Sequence, residues 1–182
     1  MSVTKQKAGH LEVIGETAAK LLLFRNGWNP YSRFLDVDKV DLLLRRRKKG
    51  KIEYREIQVK YRRFYDNSPS SWARKLFTTT LWYEVKSDEF ADHRSNLFVL
   101  FVFGHPNQRV EEDALLFPSA DLHRIIQKSP SVKGGKRRVL YISKAVDGAG
   151  WHVWRRRSKF PSINSQTCLD VSKYLNNFKA LE

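Results

Sequence analysis

Apolar residues at Leu11, Ile14, Ala18, Leu21 and Leu22 recur at spacings of three and four, which predicts an amphipathic helix over Ala8–Arg25. Asn26-Gly27 supplies its stop. Residues 28–35 read as extended, broken by Asn29-Pro30. Two strands are expected at 39–47 and 52–61, joined by the turn signal Lys48-Lys49-Gly50-Lys51. The uninterrupted apolar run 97–103 is short for a helix of that hydrophobicity and predicts a fully buried central strand. Further strands are expected at 114–117, 138–143 and 151–157, and a Gly/Lys loop at 132–136. Helices are expected at 118–128, where Pro118 opens the segment, and at 72–87 and 169–179. With no internal repeat and no long linker, the order predicts one α/β (α+β) domain over 1–182, a central sheet with helices covering it.

Composition narrows the classes. Of 182 residues, 41% are hydrophobic and 13% aromatic, enough for a real core. No apolar run approaches the roughly 20 residues of a membrane helix, and the first residues lead into no signal-peptide core. Cys168 is the only cysteine, which excludes a disulfide framework and a cysteine-rich zinc site. A soluble cytoplasmic protein is expected. Thirty-four Lys and Arg against 19 Asp and Glu give a net charge of +15. Residues 45–63 hold ten of the basic side chains against Glu53 and Glu56, and residues 133–159 hold nine against Asp147. All the excess charge therefore lies in two segments. That pattern points to a polyanion, because each neutralised phosphate releases condensed counterions.

The first basic segment carries the more informative geometry. A two-residue turn at Lys49-Gly50 sets Asp41 directly across from Gln58, and Lys60 shares their face. Val40, Leu42, Ile57 and Val59 then fall on the other, apolar face. A carboxylate, an amide oxygen and an ammonium on one patch suit a hard divalent cation, with the Val59 backbone carbonyl as a further oxygen. These are the parts of metal-assisted phosphodiester hydrolysis, with Lys60 serving the attacking water or the phosphate charge. Asp is depleted in strands, so Asp41 inside an apolar run favours such a role.

Asp41 followed after a turn by Gln58-Val59-Lys60 resembles the PD-(D/E)XK nuclease superfamily, in the branch that writes Gln-x-Lys, similar to Mrr-like and small restriction-endonuclease-like proteins. The resemblance covers about residues 9–103, with 104–182 as a basic extension of the same domain. It implies a restriction-endonuclease-like mixed central sheet flanked by helices. It also implies a Mg²⁺ (or Mn²⁺) dependent DNA endonuclease of restriction, homing or junction-resolving type, with homodimers among its assemblies and an association with the nucleoid. It implies metal ligation by Asp41, Gln58, Val59 and Glu16, the last from the preceding helix, with Lys60 catalytic beside them. Glu16 is also an i, i+4 partner for Lys20. Asp36, Asp38, Glu12 and Glu56 are lesser acidic candidates. The expected DNA contacts are Arg45, Arg46, Arg47, Lys48, Lys49, Arg62 and Arg63 around the site, with Arg137, Arg138, Arg155, Arg156 and Arg157 as a second zone. The chain departs from the family pattern at Val40, where a proline is usual, and at Gln58, where an acid is usual. The lost charge keeps a catalytically weak or inactive nucleic-acid-binding protein as the alternative.

Overall fold

The computed structural model describes residues 8–32, 39–68, 70–92, 94–105, 110–148 and 150–182. Helix α1 (Ala8–Arg25) is followed by β1 (Asn29–Ser32), β2 (Leu42–Lys48), β3 (Lys51–Arg63), β4 (Tyr65–Asp66), β5 (Phe77–Lys86), β6 (Leu97–Gly104) and β7 (Val110–Pro118). Helix α2 (Ser119–Lys128), β8 (Ser131–Val132), β9 (Arg137–Ala145), β10 (Trp151–Trp154) and β11 (Cys168–Asp170) complete the order, with short 3₁₀ turns between and after them. The molecule is α+β. One sheet runs β1-β2-β3-β6-β7 and a second runs β11-β10-β9-β5-β4, with β8 beside β9. The first sheet is mixed, since β3 and β6 are parallel and its other pairs antiparallel. Among the described residues, no helix is long and apolar enough to cross a membrane.

Local chemistry fixes the site-bearing elements. α1 ends as the glycine predicts. Gly27 takes φ +79°, its N–H donates to Phe24 O, and Trp28 N–H donates to Leu23 O. These are the two bonds of a Schellman cap, and Trp28 and Leu23 pack together in the core as that motif requires. The β2–β3 turn has Lys49 at φ 49° and Gly50 at φ 80°, the double positive φ of a type I′ turn. Its register, Leu42↔Ile57 through Lys48↔Lys51, is the one expected.

β6 is buried at every position, which is why its sequence shows no alternation. Phe98, Leu100 and Val102 pack under α1 with Leu42, Leu44 and Ile57. Val99, Phe101 and Phe103 pack against Leu81 of β5, Leu140 and Ile142 of β9 and Trp151 of β10. One face of the mixed sheet thus carries α1, and its other face carries the second sheet.

Two expected helices are absent. Residues 72–87 form one 3₁₀ turn and then strand β5. Phe77, Leu81 and Val85 are buried at a spacing of four, which fits one helix face and equally the inward positions of a strand. The β-branched run Thr78-Thr79-Thr80 and the aromatic Trp82 and Tyr83 decide for the strand. Residues 169–179 likewise form the end of β11 and 3₁₀ turns that bury Tyr174 and Phe178. β10 ends at Trp154, so Arg155, Arg156 and Arg157 lie in the loop beyond it.

Candidate active site

The site arises where one strand outlasts its neighbour. β3 pairs with β2 only through Ile57, then continues to Arg63 with Gln58–Arg63 paired to Val99–Gly104 of β6. The opposite edge of that stretch has no β2 beside it. Asp41 stands at this point, one residue before β2 begins. Its N–H donates to Ile57 O at 2.9 Å, and its carboxylate Oδ2 accepts from Val59 N–H at 2.6 Å. The carboxylate thus supplies the ladder bond that the departing strand no longer makes. In a strand the N–H and C=O of one residue point to the same edge, so the Val59 carbonyl is turned toward the Asp41 side. The expected apolar face needs one correction. Leu42, Ile57 and Val59 do pack under α1, but Val40 joins the core between the sheets, because alternation stops where the strand stops.

α1 reaches the same edge from the other side. A Cβ on Gly15 would overlap Tyr61 Cβ, so only glycine lets the helix lie this close to β3. The adjacent Glu16 then borders a cavity of 660 Å³ with Glu12, Asp41, Gln58, Val59, Lys60, Arg62, Arg63 and Tyr65. All five proposed catalytic and metal-binding residues therefore line one space. Asp36 and Asp38 lie outside the described residues.

Gln58 is only 4% exposed, and its side-chain Oε1 is buried with no hydrogen-bond partner. An orphaned buried acceptor costs about 1–3 kcal/mol and calls for a bound water or ion. The Asp41 carboxylate, Gln58 Oε1, Val59 carbonyl and Glu16 carboxylate form an all-oxygen donor set, which fits a hard divalent cation. Among the described residues, no three His, Cys, Asp or Glu side chains gather as a metal-binding group, so the amide and backbone oxygens matter to that fit. Burial pushes the Lys60 ammonium below its ordinary pKa; Asp41 and Glu89 pull it back up, and Arg62 and Lys39 add to the lowering. Lys60 Nζ lies 6.0 Å from the Tyr83 ring centroid and the Arg62 guanidinium 4.6 Å from it.

No protein-family model matches the sequence, and no curated protein matches it. A solved structure described as a bacterial homing endonuclease, I-Ssp6803I, aligns over 86% of this chain and 85% of its own, with a TM-score of 0.43 and 11% identity.

Glu89 is a site residue that linear spacing does not reveal. It sits in the turn after β5, its side chain is 11% exposed, and it pairs with Lys39 at 3.1 Å. It borders the cavity and a second one of 380 Å³ that also contains Gln58, Lys39, Asp92 and Arg94. Nothing in the sequence connects position 89 to position 41; only the turn of the second sheet brings them together.

The basic residues divide. Arg62 and Arg63 border the cavity. The remaining hairpin cations do not border the cavity: Arg45 stands opposite Tyr54, roughly 13 Å along the strand from Gln58, and Lys49 is roughly 30 Å away. Arg46 stacks 4.3 Å from the Trp28 ring centroid and pairs with Glu53 and Glu182, and Lys48 also holds Glu182. Arg45 is half-buried on β2, while Arg47 and Lys49 are exposed. In the second zone Arg137 pairs with Glu84, and Arg138 donates to Ser129 O. Arg155, Arg156 and Arg157 are exposed.

Proposed function

We propose that this chain is an endonuclease that hydrolyses DNA phosphodiester bonds with Mg²⁺ (or Mn²⁺), using a PD-(D/E)XK site of the Gln-x-Lys form. The observation that carries the reading is the open edge of β3. Five oxygen and nitrogen donors of the right chemistry border one cavity there, and one of them is a buried amide oxygen without a partner. Asp41, Gln58, Val59 and Glu16 would hold the metal. A bound divalent cation supplies Lewis-acid polarisation of the phosphoryl group and a more acidic water.

The chain's own residues do the rest. Asp41 is fixed by its bond from Val59 N–H, so its second oxygen is oriented before any ligand arrives. Lys60 and Arg62 offset charge that builds on the phosphoryl oxygens as the water oxygen bonds to phosphorus. The water gives up a proton as it bonds, the bond from phosphorus to the leaving sugar oxygen breaks, and that oxygen takes up a proton in its place. The apolar backing of Tyr83 and Phe101 keeps the floor beneath Lys60 dry, which strengthens each charge interaction.

The test is cleavage of supercoiled plasmid, branched duplex and single-stranded DNA in Mg²⁺ or Mn²⁺, with EDTA as control. The wild-type chain is expected to cut, EDTA to stop it, and Asp41→Ala and Lys60→Ala each to lose about 10²-fold or more. Wild-type rates in both variants refute the site. A second reading, a catalytically weak or inactive DNA-binding protein of the same fold, is favoured by Gln58, which leaves one negative charge fewer than an acid would. It predicts binding without metal-dependent cleavage.

A further inference from the structure

Where β3 leaves the first sheet, the chain crosses at once into the second. Phe64 is buried between the sheets, and the next residue, Tyr65, is 60% exposed and borders the cavity. Tyr65 pairs with Thr80 of β5, so the two share a face of the second sheet. Trp82 lies two residues beyond Thr80 on that same face and is 54% exposed. Trp82 pairs in turn with Tyr141 of β9. Tyr141 is held in place by Trp154 of β10, with ring centroids 4.9 Å apart and planes 20° from parallel. Trp154 packs on Phe160, and the exposed Arg155, Arg156 and Arg157 follow it directly.

An aromatic row thus runs over four adjacent strands, β4, β5, β9 and β10. It is about 14 Å across at the usual strand spacing. One end opens on the cavity with Arg62 and Arg63, and the other ends at the Arg155–Arg157 cluster. Core packing explains Trp154 and the face of the Tyr141 ring that stacks on it. It does not explain Tyr65 and Trp82, whose faces are open to solvent. Flat rings between two concentrations of positive charge suit one class of ligand. A nucleic-acid strand with unpaired bases offers π-faces to the rings and phosphates to the arginines. A base-paired duplex keeps its π-faces stacked internally along its length and offers only those of its two ends.

We propose that Tyr65 and Trp82, backed by Tyr141, form a stacking platform for unpaired bases next to the cavity. The preferred DNA is then a single strand or a junction between single and double strands. This inference rests on the endonuclease reading for its substrate, but its test is independent of cleavage.

The experiment uses the full chain in EDTA, with labelled thymidine oligonucleotide and blunt duplex as probes. Trp28, Trp151 and Trp154 are buried and Trp72 is half-buried, so Trp82 is the tryptophan whose emission a stacked base would quench most. Single strand is expected to quench emission strongly and duplex weakly. Trp82→Ala and Tyr65→Ala are each expected to lower single-strand affinity relative to duplex by about tenfold. Trp82→Phe, which keeps a ring, is expected to retain most of the preference. Unchanged single-strand affinity in both alanine variants overturns the proposal, as does emission that single strand leaves unaltered. If the platform fails while the wild-type chain cuts DNA and Asp41→Ala does not, only this inference falls. If single strands bind through Trp82 but nothing is cut, the platform stands and the endonuclease reading falls.

Discussion

The two ends of β3 have opposite characters. At the hairpin end every β2 residue from Leu42 to Lys48 has a cross-strand partner, and charge is spent on structure. Arg46 and Lys48 tether Glu182 from the far end of the chain, and Arg46 lies over Trp28. At the other end the ladder stops, and the groups that would have been used inside it turn to a cavity instead. Asp41 takes over one backbone bond, and Gln58 keeps a buried oxygen unpaired. The same strand therefore carries structural ion pairs at one end and borders a cavity at the other. Basic residues crowd both ends, so charge density alone does not separate the paired zone from the one that borders the cavity. What separates them is the cavity, which Arg62 and Arg63 border, while Arg46 and Lys48 are held by Glu53 and Glu182.

Substitutions at the two ends should accordingly fail in different ways. Asp41→Asn keeps an oxygen for Val59 N–H but removes the charge; it is expected to cut single-turnover cleavage by about 10²–10³-fold with little change in melting temperature. A large loss of stability instead would mean that Asp41 is structural. Gly15→Ala forces α1 away from Tyr61. It is expected to cost about 1–3 kcal/mol in chemical denaturation and to lower cleavage with it, by displacing Glu16. Gln58→Glu restores the missing charge, and a roughly tenfold lower metal concentration for half-maximal cleavage is expected. No change would remove Gln58 from the ligand set.

The smallest effects belong to the hairpin end. Arg46→Met is expected to lower the melting temperature by about 2–4 °C and to leave the cleavage rate of the folded protein alone. Hydrogen bonds from Lys48 and Arg46 hold the Glu182 carboxyl below its ordinary pKa. A depressed acid stabilises the fold above its unfolded pKa, and that contribution is lost as pH falls through the folded value. Glu182→Gln should therefore remove a small part of the acid dependence of melting, read as a shallower slope below the ordinary carboxylate pKa.

The hairpin was legible in the sequence because its determinants are local. Gly50 at a position of positive φ sets the turn, the turn sets the register through Leu42↔Ile57, and Asp41 arrives beside Ile57 and Val59 at the edge of β3. Strands β9 and β10 were legible but β5 was not, because Phe77, Leu81 and Val85 satisfy two periodicities at once; the local preference of Thr78-Thr79-Thr80 and Trp82-Tyr83 for a strand is realised in packing against β6 and β9. Glu89 and the Tyr65–Trp82 row are visible only after that choice, since they depend on which residues the second sheet carries to the end of β3. The ion pair of Arg46 was not legible either, because its partner Glu182 is 136 residues away.

The proposed metal site lies at the open end of β3, where Asp41, Gln58, Val59 and Glu16 border one cavity. Anomalous diffraction from crystals soaked in Mn²⁺ tests it most directly. One peak is expected within coordination distance of an Asp41 carboxylate oxygen and Gln58 Oε1. Manganese bound elsewhere, with only water against Gln58 Oε1, would contradict the claim.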